Sequence, residues 1–102
     1  MDEPDVQPEF PGGQSAMIEF FKSNVKYPST AIKNKVEGTV FVQFVVEKDG
    51  SISETEIRKG LQKDCNKEAL RVIGEMPKWK SAMKAGKPVR CRFIVPVEFK
   101  LI

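Results

Sequence analysis

A chain of 102 residues with 40% apolar and 30% charged residues has the make-up of one folded domain, too short for two cores and too apolar for disorder. Its formal charge of +3 comes from lysines and arginines scattered among acids, a weaker bias than a nucleic-acid footprint, and no apolar run reaches the roughly 18 residues of a membrane span. The chain contains no histidine, which removes the commonest general base, the commonest zinc ligand and every Ser-His or Cys-His pair.

Residues 1–13 hold Pro4, Pro8 and Pro11, several acids and a Gly12-Gly13 pair, the composition of an extended tether. The folded domain is expected over residues 14–102. Met17, Phe20, Phe21 and Val25 recur at helical spacing, predicting a helix from Gln14 to Val25 with one buried face. Tyr27-Pro28 breaks it, because proline keeps the preceding residue out of the helical region while suiting the start of a new helix. A short helix over Ser29 to Asn34 follows, with Ala31 and Ile32 inward, and Asn34 or Lys35 must turn the chain without a glycine.

Thr39 to Glu47 alternates Val40, Val42, Phe44 and Val46 with Phe41, Gln43 and Val45; apolar residues on both faces predict a central strand. Asp49-Gly50 is a strong hairpin signal, and Ile52 to Lys59 returns as a polar edge strand. Ile52 and Ile57 would point to opposite faces under strict alternation, so a bulge is expected between them. Asp64 or Asn66 is expected to cap a helix carrying Cys65, Ala69, Val72, Ile73 and Met76 inward, stopped by Pro77. After a loop over Ser81 to Lys87, a third strand runs Val89 to Phe99, with Val89, Cys91, Phe93, Val95, Val97 and Phe99 inward. Pro96 lacks a ladder donor and places that strand at an edge. The predicted fold is α+β: a three-stranded antiparallel sheet in the order second, first, third, with helices on one face.

No serine lies in a nucleophile-elbow context and the acids are dispersed, so no enzyme, cofactor or metal site is read here. Cys65 and Cys91 lack C-x-x-C spacing and read as small buried hydrophobes, although an oxidising compartment would permit a disulfide between them. Trp79 among lysines suggests a nucleic-acid contact less than it suggests a ring packed over the crossover helix, because RNA-binding sheets display several aromatics and only Phe41 is so placed. Phe41, Val45 and Ile94 form a modest apolar patch on the open face, the one hint of a weak homodimer.

The feature best suited to binding is the third strand's free edge, whose backbone donors and acceptors invite an extended peptide. Several pieces of the chain bear on it. Tyr27-Pro28 precedes a short helix; Glu37-Gly38-Thr39-Val40 runs through Phe44 and Val46 to Asp49-Gly50; Glu68 to Val72, Met76-Pro77-Lys78-Trp79-Lys80, Gly86-Lys87-Pro88-Val89 and Phe93 to Leu101 follow in order. From Tyr27 onward this ordered combination resembles the TonB C-terminal domain, and Pro8 to Gly13 is similar to the lead-in of such domains in Bacteroidota-like bacteria. The chain departs from the family in having Ser81-Ala82 where Pro-Gly often follows the tryptophan, and Asn24 where some members carry a receptor-touching glutamine.

The resemblance implies a periplasmic domain, anchored to the inner membrane by an upstream segment. It would grip the TonB box of outer-membrane TonB-dependent receptors by pairing along the last strand, and carry force from an inner-membrane motor complex. Mapped here, the partner-binding residues are Val89, Arg90, Cys91, Arg92, Phe93, Ile94, Val95, Pro96 and Val97, with Tyr27 and Pro28 beside them. Nucleic acid is not an expected partner. Two other readings stay open: the same module ending a membrane peptidase or signalling protein, and a basic RNA-binding sheet.

Overall fold

In the computed structural model, which describes residues 3–101, the valine-rich run becomes the central strand of the main sheet. This strand, β1 (Gly38–Val46), buries Val40, Val42, Phe44 and Val46 on one face. It pairs antiparallel on one side with Ile52–Lys59 and on the other with Cys91–Phe99, named β2 and β5 in chain order. The order β2-β1-β5 is the predicted one. The β1–β5 register runs without a slip from Gly38 opposite Phe99 to Val46 opposite Cys91. The β1–β2 register slips twice, and Glu54, at φ 49°, lies in the second slip. The extra residue puts Ile52 opposite Val46 and Ile57 opposite Val42, so both isoleucines reach the core side as the expected bulge requires.

Three helices accompany this sheet: α1 (Gln14–Asn24), α2 (Ser29–Lys33) and α3 (Lys63–Gly74). The stripe Cys65, Ala69, Val72 and Ile73 of α3 is fully buried. Its N-cap is Gln62, not Asp64 or Asn66. Both polar residues are used differently, Asp64 accepting from the Thr30 hydroxyl at 2.5 Å and Asn66 accepting the Leu61 N–H at 2.8 Å, so the helix can begin before them. Met17 and Phe21 fill the core from α1. In α2 only Ala31 is buried and Ile32 is half exposed, because neighbouring residues lie about 100° apart around a helix and α2 turns only the Ala31 side to the core. Lys35 ends it at φ 53°: its N–H bonds to the Ile32 carbonyl and the Val36 N–H to that of Ala31, the Schellman pattern with lysine in the usual glycine position.

Two stretches depart from the expectation. The Ser81–Lys87 loop contains a small hairpin, β3 (Ala82–Lys84) and β4 (Lys87–Val89), turned by Ala85 and Gly86, both at positive φ. Val89 therefore pairs with Ala82, and β5 starts only at Cys91. The segment read as a tether lies against this hairpin, with Val6 bridged to Met83 and Glu9 to Lys80. Phe10 is buried and meets Trp79 edge-on at 5.9 Å. Trp79 also contacts Phe44 at 5.3 Å and Phe93 at 5.4 Å, so the indole packs on the inner face of the sheet rather than over the crossover helix alone.

Candidate strand-addition edge

Among the described residues β5 has β1 on one side and no second partner on the other. Its side chains alternate: Cys91, Val95, Val97 and Phe99 are buried and Phe93 partly so, while Arg92, Ile94, Pro96 and Glu98 are exposed. Proline has no N–H to give, yet the ladder passes Pro96, opposite Phe41, in unbroken register. In an antiparallel pair the N–H and C=O of one residue point the same way and alternate along the strand. A proline is accommodated where that direction is away from the neighbour. The outward backbone row is then Arg92, Ile94, Pro96 and Glu98, an acceptor at each position and a donor at all but Pro96.

Two clefts accompany this edge. One, of about 440 Å³, lies where α1 meets the C-terminal half of β5 and is lined by Ile18, Phe21, Val25, Tyr27, Pro96 and Phe99 among others. The other, of about 270 Å³, lies between the N-terminal segment and the Phe93–Pro96 stretch, with Met17 and Trp79 also lining it. Apolar walls beside an unpaired backbone can receive both the main chain and the alternate side chains of an extended segment.

The remaining residues implied by the resemblance frame this edge. Val89 is occupied by the β3–β4 hairpin. Arg90 is a clip: its Nε donates to Glu47 at 2.7 Å, and its Nη2 donates to Glu47 at 3.1 Å and to the Glu54 carboxylate. That guanidinium, with the Ser53 hydroxyl, holds the Glu47 carboxyl below the usual carboxylate range. Arg90 thus fastens the start of β5 to the β1–β2 hairpin. At the other end Tyr27 sets its ring edge-on to Phe99 at 5.6 Å and donates its hydroxyl to the Val36 carbonyl. Burial and the neighbouring Glu37 push its phenol upward. Pro28 is the N-cap of α2.

The turn before Tyr27 is pinned to α3. The Lys26 N–H donates to Glu68 at 2.6 Å, and Arg71 donates to the Asn24 carbonyl at 2.8 Å. The Asn24 side chain itself is used internally, donating to the Phe20 carbonyl at 2.8 Å. Tyr27 and Pro28 therefore brace the cleft, and of the two only Tyr27 lines it.

The two cysteines are free, and their sulfurs have separate partners: Cys65 lies 3.6 Å from Gln62 Oε1 and Cys91 3.3 Å from the Arg92 carbonyl. Among the described residues no group of acids and cysteines is placed to hold a metal ion. On the open face Phe41 is half-buried, Val45 buried and Ile94 exposed, without the row of exposed aromatics on which RNA bases stack. The clefts and the N-terminal wall were not read from sequence. Phe10, a lone aromatic in a proline-rich stretch, and Ala85-Gly86 between two short alternating runs were the signals available.

The family model for the Gram-negative bacterial TonB protein C-terminal matches residues 23–101. Two solution structures of the Helicobacter pylori TonB C-terminal domain share the fold, with TM-scores of 0.63 and 0.64 at 23% identity; 84% of this chain aligns with 78% of the one and 90% of the other. No curated protein sequence matches the chain. With more than three quarters of its residues inside the family match, including all of β1, β2, α3 and β5, the chain belongs to the TonB C-terminal family.

Proposed function

We propose that this domain is the receptor-gripping end of a periplasmic energy transducer, binding the TonB box of outer-membrane TonB-dependent receptors as an added strand on β5. The observation that carries the proposal is the backbone row at Arg92, Ile94, Pro96 and Glu98 on the unpartnered side of β5, flanked by two apolar clefts. Main-chain hydrogen bonds supply affinity, and the exposed side chains of Arg92, Ile94 and Glu98 supply selectivity. Cys91, Phe93, Val95 and Val97 hold the edge in place from within the core. The family assignment supports the partner class.

The work done is mechanical and calls for no cofactor. An upstream membrane anchor linked to an inner-membrane motor complex would pull through the N-terminus of this chain. The pull crosses to the receptor plug through several main-chain bonds in parallel, so no single bond of about 1 kcal/mol carries it alone.

The test is an amide-shift titration of the labelled domain with extended peptides from receptor-plug N-termini, beside scrambled controls. Shifts concentrated on Arg92 to Glu98 for the native peptides alone are the expected result. A silent β5 while another surface responds would remove the mechanism and leave a partner-binding module without this grip.

A further inference from the structure

The family match begins at residue 23, yet the structure continues the folded surface upstream of it. The arm formed by residues 5–10 is tied to the β3–β4 hairpin at several points. The Ala85 N–H donates to the Asp5 carboxylate at 2.8 Å, and Val6 and Met83 exchange backbone bonds of 3.0 Å. Glu9 and Lys80 exchange bonds of 3.0 and 2.8 Å. Phe10 is 6% exposed, between Phe20 at 5.6 Å and Trp79 at 5.9 Å. These attachments set the arm in position without any partner.

The same arm is a wall of the second cleft, and the opposite wall is the Phe93–Pro96 stretch of β5. A strand laid along β5 sends alternate side chains to the face that carries Phe93 and Val95. Beside Phe93 to Pro96 such a side chain enters the space between β5 and the arm, where Pro8, Phe10, Met17 and Trp79 offer apolar surface. An exposed backbone row continuous with a pocket of this kind fits an extended peptide better than it fits a small solute or a second folded surface, because only an extended main chain uses both.

We propose that Pro8 and Phe10 are partner-binding residues, forming with Phe93 and Trp79 a specificity pocket for one large apolar side chain of the strand added to β5. The inference rests on the strand-addition reading above and assigns to the arm a share in choosing the partner.

The experiment is a double-mutant cycle in the full chain. Wild type, Phe10→Ala and Phe10→Leu are titrated with the receptor-plug peptide that shifts the β5 amides, and with copies of it in which each apolar side chain is replaced in turn by alanine. Phe10→Ala should weaken the parent peptide by about tenfold, the loss expected for removing part of one apolar contact. It should leave unchanged the one copy that already lacks the pocketed side chain, and Phe10→Leu should keep most of the affinity. Equal weakening of every copy, or no weakening, overturns the pocket. Thermal unfolding of both variants verifies that they are folded, and Pro8→Ala, which trims the same pocket wall, carries the cycle if Phe10→Ala is not. Persistent shifts at Arg92 to Glu98 without coupling to Phe10 leave strand addition standing and remove only the pocket; if no peptide shifts those amides, both readings fall.

Discussion

Gly50 and Gly86 occupy hairpin turns at φ 87° and 75°, but their surroundings differ, and that difference yields a sharp prediction. A Cβ on Gly86 would meet nothing within 4 Å, whereas one on Gly50 would sit 2.0 Å from the Trp79 carbonyl oxygen, where real Cβ atoms essentially never come under 3.0 Å. In Gly86→Ala the cost is conformational alone, about 1 kcal/mol for an L-residue held at positive φ. Gly50→Ala carries the same cost and must also push two backbones apart by about 1 Å. That movement breaks the 2.8 Å bond from the Trp79 N–H to the Gly50 carbonyl, worth about 1 kcal/mol, and displaces an indole packed among three phenylalanines. Overpacking strain of about 1–3 kcal/mol brings the total to about 3–5 kcal/mol. For a domain of this size the melting temperature should fall by about 12 °C or more, against about 4–8 °C for Gly86→Ala. Urea and thermal unfolding followed by the fluorescence of the single tryptophan measure both. Equal losses in the two variants would show that the approach of Gly50 to Trp79 contributes nothing and would refute the steric reasoning.

Three further outcomes follow from the same contacts. Tyr27→Phe keeps the ring against Phe99 but strands the Val36 carbonyl, and should cost about 1 kcal/mol in urea unfolding; an unchanged midpoint would mean that bond is not made in solution. Burial pushes the Cys65 and Cys91 thiols upward, so a thiol reagent at pH 8 should label neither in the folded protein and both in denaturant; rapid labelling of the native state would contradict their burial. The Arg71 guanidinium holds the Glu68 carboxyl below its ordinary value, with burial opposing and the Lys26 N–H assisting. A depressed carboxyl stabilises the fold above the unfolded value of about 4.3 and loses that contribution as pH falls through the folded value. Glu68→Gln should therefore flatten the decline of stability between about pH 5 and 3, and an unaltered slope would assign the acid sensitivity elsewhere.

Much of the architecture was legible because it rests on local chemistry. The alternation of Val40, Val42, Phe44 and Val46 requires a strand, Asp49-Gly50 a turn, the Cys65-to-Ile73 stripe a helix, and Pro96 an edge; each survives in the structure. Even the bulge in β2 followed from the odd spacing of Ile52 and Ile57, since both must reach the core. Ile32 was misplaced because apolar character does not say which of two neighbouring positions, about 100° apart around the helix, meets the core. The α3 cap was misplaced because Asp64 and Asn66 have partners outside the cap position.

What the sequence by itself determined is therefore the three helices, the three strands of the main sheet, their order and the identity of the exposed edge, but not the β3–β4 hairpin, since periodicity and proline act through neighbouring residues along the chain. What only the tertiary structure decided is how that edge is furnished. Phe10 meets Trp79 from 69 positions away along the chain, Arg90 finds Glu47 just after β1 and Glu54 in β2, and the clefts beside β5 are spaces between α1, the arm and the sheet. Such features depend on contacts between elements distant in sequence, and no local pattern encodes a space that forms only when those elements pack.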